Sequence, residues 1–516
     1  MSRRNFLLAT GSLTGLTLAQ ARLRPTLSFR KYSGYPFSLG VASGDPMPDS
    51  VVLWTRLAPN PLRSTSMPPV NVPVMWQIAT DEKMGRVVAK GEAIATPELA
   101  HSIRVVVNGL ESDRWYWYQF KVGKEISPIG RTKTAPNVKD ILRKLTFAFV
   151  SCQNYEHGYF NAYSHLAEED LDFVLHLGDY IYEYAPKANS NHPRQHIGQE
   201  STDLETYRQR YGLYKSDPDL QAAHAAFPFI CTWDDREVDN DYANGESQDF
   251  DPVEKFLIRR AAAYQAYYEH LPLRPVSRPY GPYMRLYRRF SYGQLAQFSL
   301  LDSRQYRSDQ VCDNNGRGGG QLIAECPDRF DRDRTLLGSQ QESWLFEGLA
   351  RSPFTWNVVA QQTLVAQLKQ KLEDKTAYWS DGWDGYPLSR RKILEFISQH
   401  RPSNPVFIGG DIHSFWVTDL KTDFDDRNSP VVASEFVGTS ISSNGVPYER
   451  FASYLKDNPH VKFFESRLRG YVKCTADRKK WTSDLRVVNT VKHPRSTLQT
   501  LASFVVENGK TGAQQV

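Results

Sequence analysis

The chain has 516 residues, 40% of them apolar and 12% aromatic, and its 63 Lys and Arg against 58 Asp and Glu leave a formal charge of only +5. That length can bury a large core across about two to three domains, and the composition is that of an ordinary soluble globular protein. So small a charge excess, with no long Lys/Arg run, argues against nucleic acid as an obligate partner.

The N-terminus reads S-R-R-N-F-L-L-A-T-G-S-L-T-G-L-T-L-A-Q-A. Arg3 and Arg4 ahead of Phe6 and Leu7, an uncharged Gly/Thr-containing stretch, and Ala19-Gln20-Ala21 as a small-residue cleavage site predict a signal peptide over 1–21 read by the twin-arginine export machinery. The expected location is the periplasm or the extracellular space. That stretch is too short to span a bilayer, and no later run of its length is free of charge, so no transmembrane span is expected. An amphipathic N-terminal helix is the alternative. Twin-arginine export carries folded cargo, which favours a cofactor loaded before export.

Over 36–136 the segments V-V-L-W-T-R-L, V-M-W-Q-I-A-T, H-S-I-R-V-V-V and W-Y-W-Y-Q-F-K-V are apolar or alternating and separated by turn residues. They predict a small all-β sandwich of immunoglobulin or fibronectin type. After the linker T-A-P-N-V-K-D the pattern becomes strand and helix in alternation over 145–505. Strands are expected at 145–150, 173–177, 227–233, 295–301, 356–360, 405–408, 431–436 and within 471–488. Helices are expected at 161–170, 204–211, 219–226, 252–270, 339–350 and 389–400, the helix at 339 opened by the capping box Ser339-Gln340-Gln341-Glu342. The fold class is therefore α/β (α+β), a catalytic sandwich with its site outside the C-terminal ends of its strands. Of five cysteines, Cys312 and Cys326 flank a Gly-rich loop that a disulfide would close. Cys231 and Cys474 read as buried structural residues.

Four apolar runs end on chemistry-bearing residues. F-A-F-V-S-C-Q ends on Cys152, F-V-L-H-L-G-D-Y-I-Y on Asp179 and Tyr182, F-I-C-T-W-D-D on Asp234 and Asp235, and P-V-F-I-G-G-D-I-H on Asp411 and His413. A carboxylate at the end of a buried strand is costly unless paired or metal-bound. Each residue has an ordinary alternative: a core cysteine, a packed tyrosine, a capping aspartate, a satisfied histidine. Their recurrence at four strand ends instead points to a metal centre on a sheet edge. A phenolate and a thiolate suit Fe3+, whereas Ca2+ would need oxygen-rich positions such as Asp235, Asn240, Gln362 or Asp411. His176, inside its strand, reads as structural.

V-S-C-Q-N, H-L-G-D-Y-I-Y-E-Y, W-D-D-R-E-V-D-N-D-Y-A, L-D-S-R-Q-Y-R, L-L-G-S-Q-Q-E-S-W-L, V-V-A-Q-Q-T and G-G-D-I-H-S-F-W together resemble the PhoD family of alkaline phosphatases, and S-L-G-V-A-S-G-D-P resembles that family's N-terminal domain. The resemblance implies a two-sheet αββα metallophosphatase-like catalytic domain, a ferric ion with calcium, and hydrolysis of phosphate mono- and diesters. Carried over by motif, Cys152, Asp179 and Tyr182 would hold iron, and Asn240, Asp411 and His413 would complete the cluster with calcium. Gln362 is a weaker transfer. The expected reaction is attack of metal-activated hydroxide at phosphorus, with Asp179 bridging the ions. One position departs from the family pattern: Arg236 stands where a histidine is usual. A guanidinium cannot be a general acid near neutral pH but binds phosphate oxygens well, so Arg236 would stabilise charge on the phosphoryl group. The alternative is an arginine paired with Glu237 or Asp239. Alternative functions are a phosphodiesterase with phospholipase D-like action, a redox protein, and a non-catalytic cell-surface binding protein.

Overall fold

The computed structural model describes residues 34–187, 190–313 and 316–516; the expected signal peptide lies outside them. A ten-stranded and a seven-stranded sheet form its two central layers. Leu145–Val150, Phe173–His176 and Pro228–Cys231 run parallel in the first. Ala296–Leu300, Trp356–Ala360, Pro405–Gly409 and Val431–Val437 run parallel in the second.

The period-two alternation of side chains along a strand accounts for the layering. Phe147, Phe149, Phe173, Leu175 and Ile230 of the first sheet meet Phe298, Leu300, Val358, Ala360, Val406 and Ile408 of the second in one buried core. Their neighbours face outward. Ala148, Val150, Val174, Phe229 and Cys231 pack against helices Asn161–Ala167, Leu204–Lys215, Pro218–Ala226 and Val253–His270. Val359 and Phe407 pack against Ser339–Ala350 and Pro387–His400. These strands are apolar on both faces because both faces are covered.

The N-terminal β-rich part is a sandwich whose two sheets enclose Val41, Val51, Leu53, Val74, Ile78, Tyr118 and Phe120. One sheet is not separate from the rest of the chain. Val41–Met47, Ser50–Arg56 and Ser102–Asn108 extend the ten-stranded sheet, and Val41–Met47 pairs in parallel with Pro228–Cys231. The other sheet comprises Val72–Ala79, Val87–Ala95, Trp115–Val122, Glu125–Ile126 and Gly130–Lys133.

Cys312 and Cys326 are joined, with Cα atoms 6.1 Å apart. The capping box at Ser339 is not formed: the N-cap is Gly338, and no side chain caps the helix. Glu342 instead accepts from Thr335 Oγ1 at 2.6 Å, and that hydroxyl accepts from the backbone N–H of Gly338 at 3.0 Å. The φ of +74° at Gly338 makes the turn one residue earlier than the Ser–Glu spacing implies.

Among the described residues no helix is long and apolar enough to cross a membrane.

Candidate metal centre

The strand ends converge because each chain turns sharply where its strand stops. Cys152, Asp179, Asp411 and His413 all have left-handed backbones, with φ of 59°, 57°, 63° and 55°. Such conformations cost about 1–3 kcal/mol each in non-glycine residues and persist only where the surroundings enforce them. The enforcing contacts are visible. Cys152 N–H donates to Gly178 O at 3.1 Å and Gln153 N–H to Asp179 O at 3.1 Å. Buried Glu237 accepts from the backbone N–H of Asp179 (3.1 Å), Tyr180 (2.6 Å) and Asp234 (2.9 Å), clamping two strand ends with one carboxylate. Gly178, at φ +114°, allows them to touch: a Cβ there would lie 2.5 Å from Asp234 Cβ. On the far side Arg469 Nη1 donates to His413 O at 2.8 Å, and Ser443 Oγ donates to Cys152 O at 2.8 Å.

The result is two donor groups sharing one member. Ligand atoms of Cys152, Asp179 and His413 lie within 4.8 Å of one another, and so do those of Asp179, Asp234 and Asp235. Tyr182 belongs with the first: its hydroxyl donates to Asp179 Oδ2 at 2.7 Å and lies 3.1 Å from His413 Nε2. Asp411 shares the same electrostatic environment, its carboxyl raised by burial and then by Asp234.

The remaining expected residues are placed differently. Gln362 ties the two sheets together, its amide donating to Thr232 Oγ1, Trp233 O and Leu301 O at 3.2, 2.9 and 2.9 Å. Asn240 donates from its side chain to Gln248 Oε1 at 2.7 Å and makes no hydrogen bond to a member of the two groups. Arg236 is not paired with Glu237 or Asp239, as the simpler reading of its sequence neighbours would have it. Glu237 is taken by backbone amides, and Asp239 lies 3.3 Å from Arg259. Arg236 donates to Glu183 Oε1 at 3.0 Å, approaches Asp235 Oδ2 at 3.8 Å and lies over the rings of Tyr182 and Tyr184. Its side chain keeps 25% exposure, so the cation sits at the rim of the cluster.

Sequence reasoning missed Arg304. It is wholly buried, donates to Asp234 Oδ1 at 2.5 Å and Asp381 Oδ1 at 2.8 Å, and lies 3.8 Å from Asp235. Asp234 was read as ending its strand but not assigned as a ligand, and the clamping role of Glu237 was missed because its partners include residues some 57 positions away.

The electrostatics describe a site short of positive charge. Burial, then the neighbouring Asp235 carboxylate, pushes Asp179 up to about 8. Burial pushes Asp234 up to about 8, with Arg304 opposing and Asp235 adding to the rise. Burial and then Asp179 raise the Cys152 thiol and the Tyr182 phenol. Burial, Arg469 and Arg236 lower His413 to about 3, keeping it in the neutral form that ligates metals. Asp179 Oδ1, Asp235 Oδ1 and Gln362 Oε1 are buried without a hydrogen-bond partner. Unpartnered buried acceptors of this kind cost about 1–3 kcal/mol each. Bound cations would satisfy them and reverse the carboxyl shifts. The donor set therefore fits metal ions: a thiol, a phenol and an imidazole on one side of Asp179, and carboxylates on the other.

Comparison with known proteins agrees with this chemistry. The family model described as PhoD-like phosphatase matches residues 147–485, and that of the PhoD-like phosphatase N-terminal domain matches 22–136. Alkaline phosphatase D of Bacillus subtilis (strain 168) is 47% identical over 525 aligned residues, which cover 100% of this chain and 89% of that protein. A solved structure of PhoD matches with a TM-score of 0.89 at 47% identity, covering 94% of this chain and 93% of that one.

Proposed function

The chain belongs to the PhoD-like phosphatase family, and from that premise we propose that its two donor groups hold a ferric ion and calcium and hydrolyse phosphate mono- and diesters between them. Membership of that family makes it a phosphatase. Asp179 carries the proposal, because it is the residue common to both groups. Cys152, Tyr182 and His413 would hold Fe3+ with Asp179. Asp234, Asp235 and Asp411 would hold Ca2+, with Asn240 and Gln362 as further oxygen donors.

When bound, the ions supply Lewis acidity to the phosphoryl oxygens and acidify water. The side chains do the rest. Glu237 holds the Asp179 and Asp234 backbones in register, so both carboxylates reach the same space. Cys152 and Tyr182, both held protonated by burial and Asp179, would serve as thiolate and phenolate ligands, and His413 is already neutral. Arg304 neutralises part of the carboxylate charge from below. Arg236, steered by Glu183, presents fixed positive charge from the rim to a phosphoryl oxygen and cannot itself protonate a leaving group. Nothing in this arrangement requires a protein nucleophile.

We further infer export through the twin-arginine machinery from Arg3 and Arg4, division of the chain near 36–136 and 145–505, and an immunoglobulin- or fibronectin-like form for the N-terminal sandwich. Elemental analysis of protein purified without added metal tests the central reading alongside turnover of a phosphomonoester and a diester. Iron together with calcium, and activity lost on chelation, is the expected result. Full activity in metal-free protein would refute it.

A further inference from the structure

Beside the cluster lies a cavity of about 340 Å³ whose wall includes Asp411 and His413. Most of its lining is apolar: Leu364, Leu368, Trp379, Trp383, Ile412 and Phe451. The acidic groups that reach it are largely engaged elsewhere. Asp381 accepts from Arg304, Arg307 and Gln310, and Asp384 accepts from Arg390 and from the backbone N–H of Leu368. Part of the wall comes from a small three-stranded sheet, Leu322–Ile323, Gln370–Leu372 and Lys375–Trp379, which stands outside the two main layers. Its first strand lies within the loop closed by the Cys312–Cys326 disulfide. Trp379 ends the central strand of this sheet with 42% of its surface exposed, although a solvent-facing indole forfeits the burial that large aromatics normally gain.

Phosphoryl transfer alone needs no such space, because ions and Arg236 suffice to hold a phosphate. An engineered cavity of about 150 Å³ lined by apolar side chains accepts benzene. This one has room for an aromatic ring with its linkage to phosphorus, and it opens onto the residues that would hold that phosphorus. We propose that the cavity is a substituent subsite that binds an aryl group of the phosphate ester, stacking it against Trp379 while the phosphoryl group occupies the cluster. This deepens the proposed function and rests on the cluster being the phosphoryl site. It makes esters carrying an aromatic substituent better ligands than esters with a small alkyl group or none.

Two non-hydrolysable ligands of the same charge and different bulk, phenylphosphonate and methylphosphonate, separate the claims in the metal-loaded protein. Phenylphosphonate is expected to inhibit with a Ki at least about tenfold lower, given the apolar area it buries and the ordering it costs. Trp379→Ala removes the stacking surface. Gly382→Leu fills the cavity, since a Cβ at Gly382 meets nothing within 4 Å and its φ of −85° suits any residue. Either variant should bring the phenyl-to-methyl ratio close to one, with the methylphosphonate Ki as the internal reference. Equal inhibition in the wild type, or a ratio unchanged in Gly382→Leu, overturns the subsite. Failure of both phosphonates and of inorganic phosphate to inhibit would instead overturn the reading of the cluster.

Discussion

Lys215 gives the sharpest test of how burial governs this protein's behaviour. It closes the helix Leu204–Lys215 inside the protein, with Nζ 3.3 Å from the Tyr180 hydroxyl and 4.2 Å from the centre of the Trp54 ring. No carboxylate among the described residues pairs with it. The other titratable groups around it, Tyr180, Cys231, His176 and His224, are held neutral by burial. Burial lowers the Lys215 ammonium from 10.5 to about 7, slightly opposed by Cys231. At about 1.4 kcal/mol per pH unit this bounds the penalty for the buried charge near 5 kcal/mol. The attraction to Trp54 returns about 2 kcal/mol, leaving about 3 kcal/mol. Because the folded value lies below the unfolded one, the unfolded chain binds the extra proton between pH 7 and 10.5. Stability from this group therefore rises with pH across that window, and the penalty is complete below it. Lys215→Met removes the titration while keeping the bulk. Urea midpoints compared at matched pH cancel every other titrating group. The variant should be more stable than the parent at pH 6, and the advantage should shrink steadily as the pH rises toward 10.5. A difference that does not change with pH, or a variant less stable at pH 6, would show that Lys215 does not carry an uncompensated buried charge.

Glu237→Gln exchanges an acceptor oxygen for an amide that faces a backbone N–H. At least one of three hydrogen bonds to this buried carboxyl is lost, and urea titration should report destabilisation of about 1–3 kcal/mol; an unchanged midpoint would refute the clamp. Asp179→Asn should lower iron and calcium content together, and a variant retaining both ions in elemental analysis would contradict the sharing of this residue. Arg236→His should keep its metals but gain a limb in the pH–rate profile, because imidazole titrates near 6.5 and guanidinium does not. Superimposable profiles would place Arg236 outside the chemistry.

The central strands were legible because they are buried on both faces. Runs such as F-A-F-V and P-V-F-I have few other readings, and the structure places strands at Leu145–Val150 and Pro405–Gly409. Leu498–Glu507, a strand with one more exposed side, carries a weaker pattern and was not anticipated. The short sheet around Lys375–Trp379 was not anticipated either: it is a two-strand hairpin joined to the distant pair Leu322–Ile323. At the site, residues that end strands could be read one by one, as Cys152, Asp179, Tyr182 and His413 were. Arg304 and Glu237 could not, because their importance comes from what the fold brings to them. Nor does any local pattern reveal that the guanidinium of Arg236 would meet Glu183, 53 positions earlier.

The strand Val41–Met47 holds a seat that the catalytic layers would otherwise leave empty. It covers one flank of Pro228–Cys231, the strand whose continuation carries Asp234 and Asp235. Cutting the chain after residue 136 to isolate the enzyme would uncover that flank and present its free amide and carbonyl row to any other strand in solution, a recognised route to aggregation. The cut would also loosen the carboxylates just downstream. Expression of the shortened chain should therefore fail by self-association, and the N-terminal segment is best regarded as the outer brace of the reaction chamber.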